Sequence, residues 1–143
     1  LYRQTMFAEF ELRMGELSAQ GETLTADLLS REYKALNEAY FGPDMVSDDQ
    51  IALEWSRIPH FYYNYYVFQY ATGYSAAIAL SRRILQEGEP AVKDYLEFLS
   101  GGCSKDPIDL LKGAGVDMAS PQPIQAALDL FDSLLDEMEQ LME

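Results

Sequence analysis

Cysteine and histidine each occur once in this chain of 143 residues, as Cys103 and His60. A single thiol cannot close an internal disulfide. One histidine and one cysteine cannot furnish an HExxH zinc helix, a Cys/His zinc site or the paired Glu-x-x-His motifs of di-iron bundles, so no metal site is expected within the chain. Cys103 lies in the polar, glycine-rich "SGGCSK" with no neighbouring base to favour its thiolate, and it reads as a bystander. Phosphate loops, dinucleotide fingerprints and the G-x-S-x-G elbow of serine hydrolases are missing as well. Basic residues are few, 10 against 24 acidic ones, for a net charge of -14. Phosphate recognition needs clustered Lys and Arg, so nucleic acid and anionic membrane surfaces are set aside as partners. No apolar run approaches the ~20 residues of a membrane span. With one thiol and no signal-peptide pattern, the expected compartment is the reducing cytoplasm.

What the chain does have is helical periodicity. Nearly half of it is hydrophobic, at 48%, and every periodic stretch carries a spacing of three or four, so the expected fold is all-α. A first helix over 2–19 places Met6, Phe10, Met14 and Leu17 on one face and ends at Gly21. Thr25 caps a second helix, running to about Tyr40 with Leu28, Leu29, Leu36 and Ala39 inward; Asp48 caps a short third one through Trp55. Pro59 suits the first turn of a long central helix reaching Leu85, in which Gly73 marks close packing or a bend. Pro90 and Pro107 open two more helices, and Ser120–Pro121 the last, with Ile124, Leu128, Phe131, Leu135, Met138 and Met142 as its apolar face. No repeat, low-complexity tract or long linker divides the chain, so residues 1–143 read as one helical unit. It opens on "LYRQTMFAEFE", with a helix already under way and no initiator methionine, and is expected to be a fragment of a larger helical domain.

Carboxylate pairs such as Glu9 and Glu11 are common in so acidic a chain, and surface solubility accounts for them. The segment "IPHFYYNYYVFQYATGY" differs: it holds His60 and six of the ten tyrosines. On a continuous helix, Tyr63, Tyr66, Tyr70 and Tyr74 share a stripe about 80° wide with His60 at its edge, while Phe61, Tyr65 and Phe68 point elsewhere, so both sides of the helix would be covered. An aromatic stripe at helical spacing is most simply core. A core needing only bulk would use Phe and Leu, however, because each unpartnered buried hydroxyl costs roughly 1–3 kcal/mol. Four phenols beside an imidazole therefore favour a polar cleft that can bind peptide carbonyls or an oxyanion developing on one.

The run "RIPHFYYNYYVFQYATGYSAA", with "TMFAEFE", "GETLTADLL", "YFGPD", "FLSGGCSKDPIDLLKGAGVDM" and "SPQPI", resembles the C-terminal part of the catalytic domain in the oligoendopeptidase F family of zinc metallopeptidases. The resemblance covers nearly the whole chain. It implies a mostly helical peptidase acting on unstructured oligopeptides, with zinc held by an HExxH helix and a downstream glutamate outside this chain. Zinc is thus a cofactor of the parent enzyme, and the remainder of the catalytic domain a necessary partner. Carried over residue by residue, the resemblance implies a catalytic, oxyanion-holding role for His60 and Tyr70, and substrate contacts for Tyr63 and Tyr66. It further implies that the chain is inactive alone, and the surface exposed by a missing half-domain would promote self-association. The competing reading is a helical module whose aromatic groove binds a peptide or partner helix without catalysis.

Overall fold

A computed structural model describes residues 1–143. It is all-α, with no strand. Six α-helices, α1 (Tyr2–Ala19), α2 (Ala26–Phe41), α3 (Phe68–Glu87), α4 (Glu89–Ser100), α5 (Pro107–Gly113) and α6 (Gln122–Met142), are joined by turns and by two 3-10 helices, Gln50–Arg57 and Pro59–Tyr62. The chain forms two compact units, Leu1–Ala71 and Thr72–Glu143, divided within α3.

In the first unit the ends of the helices follow from local chemistry. Gly21 takes φ 87° just beyond α1, a left-handed conformation open to glycine at little cost. The Thr25 hydroxyl accepts the Leu28 amide at 3.2 Å and starts α2. Asp48 accepts the Ile51 amide at 2.9 Å and opens the first 3-10 helix, which continues past Trp55 to Arg57. Met6, Phe7 and Phe10 of α1 close on Leu29, Tyr33 and Leu36 of α2, with Ile58 and Val67 completing the buried set. Phe10 meets Tyr33 and Phe61 edge-on, both at 5.1 Å between ring centres. Within α2, Tyr33 rather than Ala39 is the buried residue; Ala39 is exposed. Tyr33 can occupy the core because its hydroxyl donates to the buried Glu54 carboxylate at 2.6 Å.

The long central helix expected from Pro59 to Leu85 does not form. A 3-10 turn ends at Tyr62, residues 63–67 break the path, and α3 begins only at Phe68. Asn64 and Tyr65 adopt left-handed φ values of 53° and 59°. The amides of Tyr65 and Val67, which an uninterrupted α-helix would donate to the carbonyls four residues back, go instead to the Glu11 side chain. Nor is the segment covered on two sides: Tyr62, Tyr63, Tyr65, Tyr66, Phe68 and Tyr70 are all exposed. Gly73 does not mark close packing, since a Cβ there would meet nothing within 4 Å, and α3 runs through it.

In the second unit Ala76 and Leu80 of α3 pack with Ala114 and Val116, flanked by Tyr95, Phe98, Leu111 and Met118. Arg83 ties this unit together, donating to the Ala114 carbonyl, to Asp94 at 2.7 Å and to Glu87 at 3.0 Å. On α6 the apolar face read from the sequence lies largely in solvent. Pro123 and Ala127 are buried, Leu128 is half-buried, and Ile124, Phe131, Leu135, Met138 and Met142 are exposed. From Ser133 to Met142 every residue of that helix is exposed, so its apolar periodicity there faces solvent.

Candidate functional site

His60 sits in the second 3-10 helix, Tyr63 at its end, Tyr66 in the turn, and Tyr70 in the first turn of α3. Although they do not share a helix, the broken path brings these four residues together. The Tyr70 hydroxyl and His60 Nε2 are 3.0 Å apart in a hydrogen bond whose donor is set by the imidazole tautomer. The Tyr66 ring stacks on the imidazole at 5.9 Å and 14°, and Tyr63 and Tyr70 meet it edge-on at 5.9 and 5.4 Å. Tyr66 in turn touches both Tyr63 and Tyr70, at 5.9 and 5.7 Å between ring centres, so the four rings form a closed cluster. Tyr74, expected on the same stripe, belongs to the second unit.

The cluster is open to solvent. Tyr63, Tyr66 and Tyr70 are 58, 39 and 43% exposed, which rules out a role as core packing and leaves these side chains accessible to a ligand. The Tyr70 phenol is pushed above its ordinary value, first by its hydrogen bond with Tyr66 and then by desolvation and the neighbouring Tyr66 and Tyr63 oxygens. It therefore keeps its proton, and its capacity to donate, across the neutral range.

Beneath the cluster lie residues that the sequence did not bring forward. Glu11, a buried carboxylate on α1, accepts the Tyr65 amide at 2.6 Å and the Val67 amide at 3.4 Å. Tyr65 turns away from the other tyrosines and fills the niche at Gly15, where a Cβ would stand 1.8 Å from its hydroxyl. A left-handed tyrosine is strained by about 1–3 kcal/mol, and this packing holds it there. One signal was readable: Gly15 is an isolated glycine inside a helical pattern, a choice that costs about 1 kcal/mol against alanine and is offset here by the space it leaves for Tyr65. No three His, Cys, Asp or Glu side chains gather as a set able to hold a metal ion, so the residues of this chain do not fit a zinc site.

A helical domain presenting an imidazole ringed by phenols is suited to holding polar, carbonyl-rich ligands. Residues 1–130 match peptidase family M3, and the chain belongs to that family. It is 61% identical over 142 residues to oligopeptidase PepF of Bacillus subtilis, covering 99% of this chain and 21% of that protein. It is 43% identical over 143 residues to the chromosomal oligoendopeptidase F of Lactococcus lactis subsp. cremoris, covering 100% of this chain and 24% of that one. The crystal structure of oligoendopeptidase-F from Enterococcus faecium superposes with a TM-score of 0.94 at 48% identity, over 99% of this chain and 27% of that structure. The chain thus spans about a quarter or less of the length of these curated relatives.

Proposed function

We propose that residues 1–143 form the C-terminal, substrate-facing part of the catalytic domain of a zinc-dependent oligoendopeptidase that cleaves short peptides. The observation that carries this reading is the hydrogen bond between Tyr70 and His60, with Tyr63 and Tyr66 packed on the same imidazole. Family membership and the names of the relatives support the reaction class. Zinc, whose chemistry is to polarise the scissile carbonyl, would be held by residues outside this chain.

Tyr70 acts as the transition-state donor, and His60 orients its hydroxyl. With the imidazole proton on Nε2 donated to the Tyr70 oxygen, the phenolic O–H, which Tyr66 otherwise accepts, turns from Tyr66 to the substrate oxygen, and its raised pKa keeps it protonated at neutral pH. As the scissile carbonyl becomes tetrahedral, its oxygen gains negative charge and the Tyr70 hydroxyl donates to it, with His60 holding the phenol in line. Tyr63 and Tyr66 offer exposed phenols to the backbone of the peptide on either side of that carbonyl. The chain carries no complete catalytic set, so by itself it is expected to leave a reporter peptide uncleaved. The compartment that suits one exposed thiol, Cys103, is the cytoplasm.

The test is Tyr70→Phe and His60→Ala in the full-length peptidase. Each is expected to lower kcat by about 10²–10³ with zinc content unchanged. Unchanged kcat in both, with zinc retained, overturns the assignment.

A further inference from the structure

Glu11 takes no part in the function proposed above, yet it is among the most deeply placed charges of the chain, 5% exposed on α1. Its two carboxylate oxygens accept the amides of Tyr65 and Val67, two of the N–H groups freed where the helical path is broken. One turn further along α1, Gly15 leaves the space that the Tyr65 side chain fills. The turn is therefore gripped twice from the same helix, by its backbone at Glu11 and by its side chain at Gly15. Asn64 and Tyr65, the two left-handed residues, lie directly between Tyr63 and Tyr66. Their conformation fixes the directions in which those two phenols leave the backbone, and it fixes where α3, bearing Tyr70, begins.

We infer that Glu11 is a positioning residue for the His60 cluster, acting with Gly15 to hold the Tyr63–Val67 turn in the one conformation that brings Tyr63, Tyr66 and Tyr70 onto the imidazole. Its consequence for turnover rests on the proposed peptidase role of that cluster; its hold on the turn does not. Glutamine at position 11 keeps the length of the side chain and one acceptor oxygen, but replaces the second with an amide nitrogen that cannot receive an N–H.

The experiment is Glu11→Gln in the full-length peptidase, read by amide hydrogen exchange and by steady-state kinetics. Exchange at Tyr65 and Val67 is expected to quicken about tenfold or more, while the α2 amides are unaffected. kcat is expected to fall about tenfold and KM to rise as the Tyr63 and Tyr66 contacts loosen, and the kcat of Glu11→Gln combined with Tyr70→Phe should lie only slightly below that of Tyr70→Phe alone, because the kcat effect of Glu11 passes through Tyr70. A Glu11 serving stability alone would instead lower the unfolding midpoint and leave kcat per folded molecule intact. Gly15→Ala disturbs the same turn from its other anchor, should give the same exchange pattern, and carries the test if Glu11→Gln does not fold. Unaltered exchange at Tyr65 and Val67, or losses in kcat that multiply independently, overturns the inference. Faster exchange together with a silent Tyr70→Phe would leave the hold on the turn standing and refute the peptidase role.

Discussion

Glu54 shows how a single side chain permits polar groups in the core of the first unit. It accepts the Tyr33 hydroxyl on one oxygen and the guanidinium groups of Arg3 and Arg57 on the other. No buried side-chain nitrogen or oxygen in the chain is left without a partner. Tyr33→Phe removes a buried bond to a charged acceptor and is expected to cost about 1–3 kcal/mol, measured as a lower urea midpoint at unchanged slope. The phenols also set a pH limit. Tyr33 is pushed upward by burial and by its bond to Glu54, and Tyr40 is pushed up to about 12 by burial and by its bond to Glu9. In the unfolded chain both titrate near pH 10. The folded form thus holds its protons more tightly, and the associated stability is complete below pH 10 and fades as the pH rises toward 12. Between those values the urea midpoint should fall, and Tyr40→Phe should flatten part of the decline.

Among the secondary-structure elements, those specified by their own residues were legible in the sequence. Thr25, Pro90 and Pro107 mark the starts of α2, α4 and α5, and Gly21 the end of α1, because capping and proline chemistry act within a few residues. The turn at 63–67 was not legible, because its cause lies elsewhere: Glu11 is 54 residues from Tyr65, and nothing local distinguishes it from the other carboxylates of an acidic chain. Helical spacing named His60, Tyr63, Tyr66 and Tyr70 as one group, and the fold brings them together by a different geometry. Tyr74 was drawn in only by the assumption of an unbroken helix. The turn supplies its own check. Asn64→Gly keeps the left-handed conformation and should be nearly neutral, whereas Asn64→Val should cost about 1–2 kcal/mol in thermal or urea unfolding.

At the scale of the whole molecule, the net charge of -14 opposes association, while an apolar surface promotes it. Leu134, Leu135, Met138, Leu141 and Met142 are all exposed along the second half of α6. Such a face draws a partner. The isolated chain is therefore expected to elute above its 16.2 kDa mass in size-exclusion chromatography, and Leu135→Glu with Met138→Glu should return it to the monomer position. Chain connectivity also bears on the order in which the site assembles. The hydrogen bonds from Tyr65 and Val67 to Glu11 close loops of more than fifty residues, and they offset the backbone strain at Asn64 and Tyr65 only after α1 has folded and docked. The tyrosine cluster is thus expected to assemble only once α1 has docked, so that whatever loosens α1 also loosens the site.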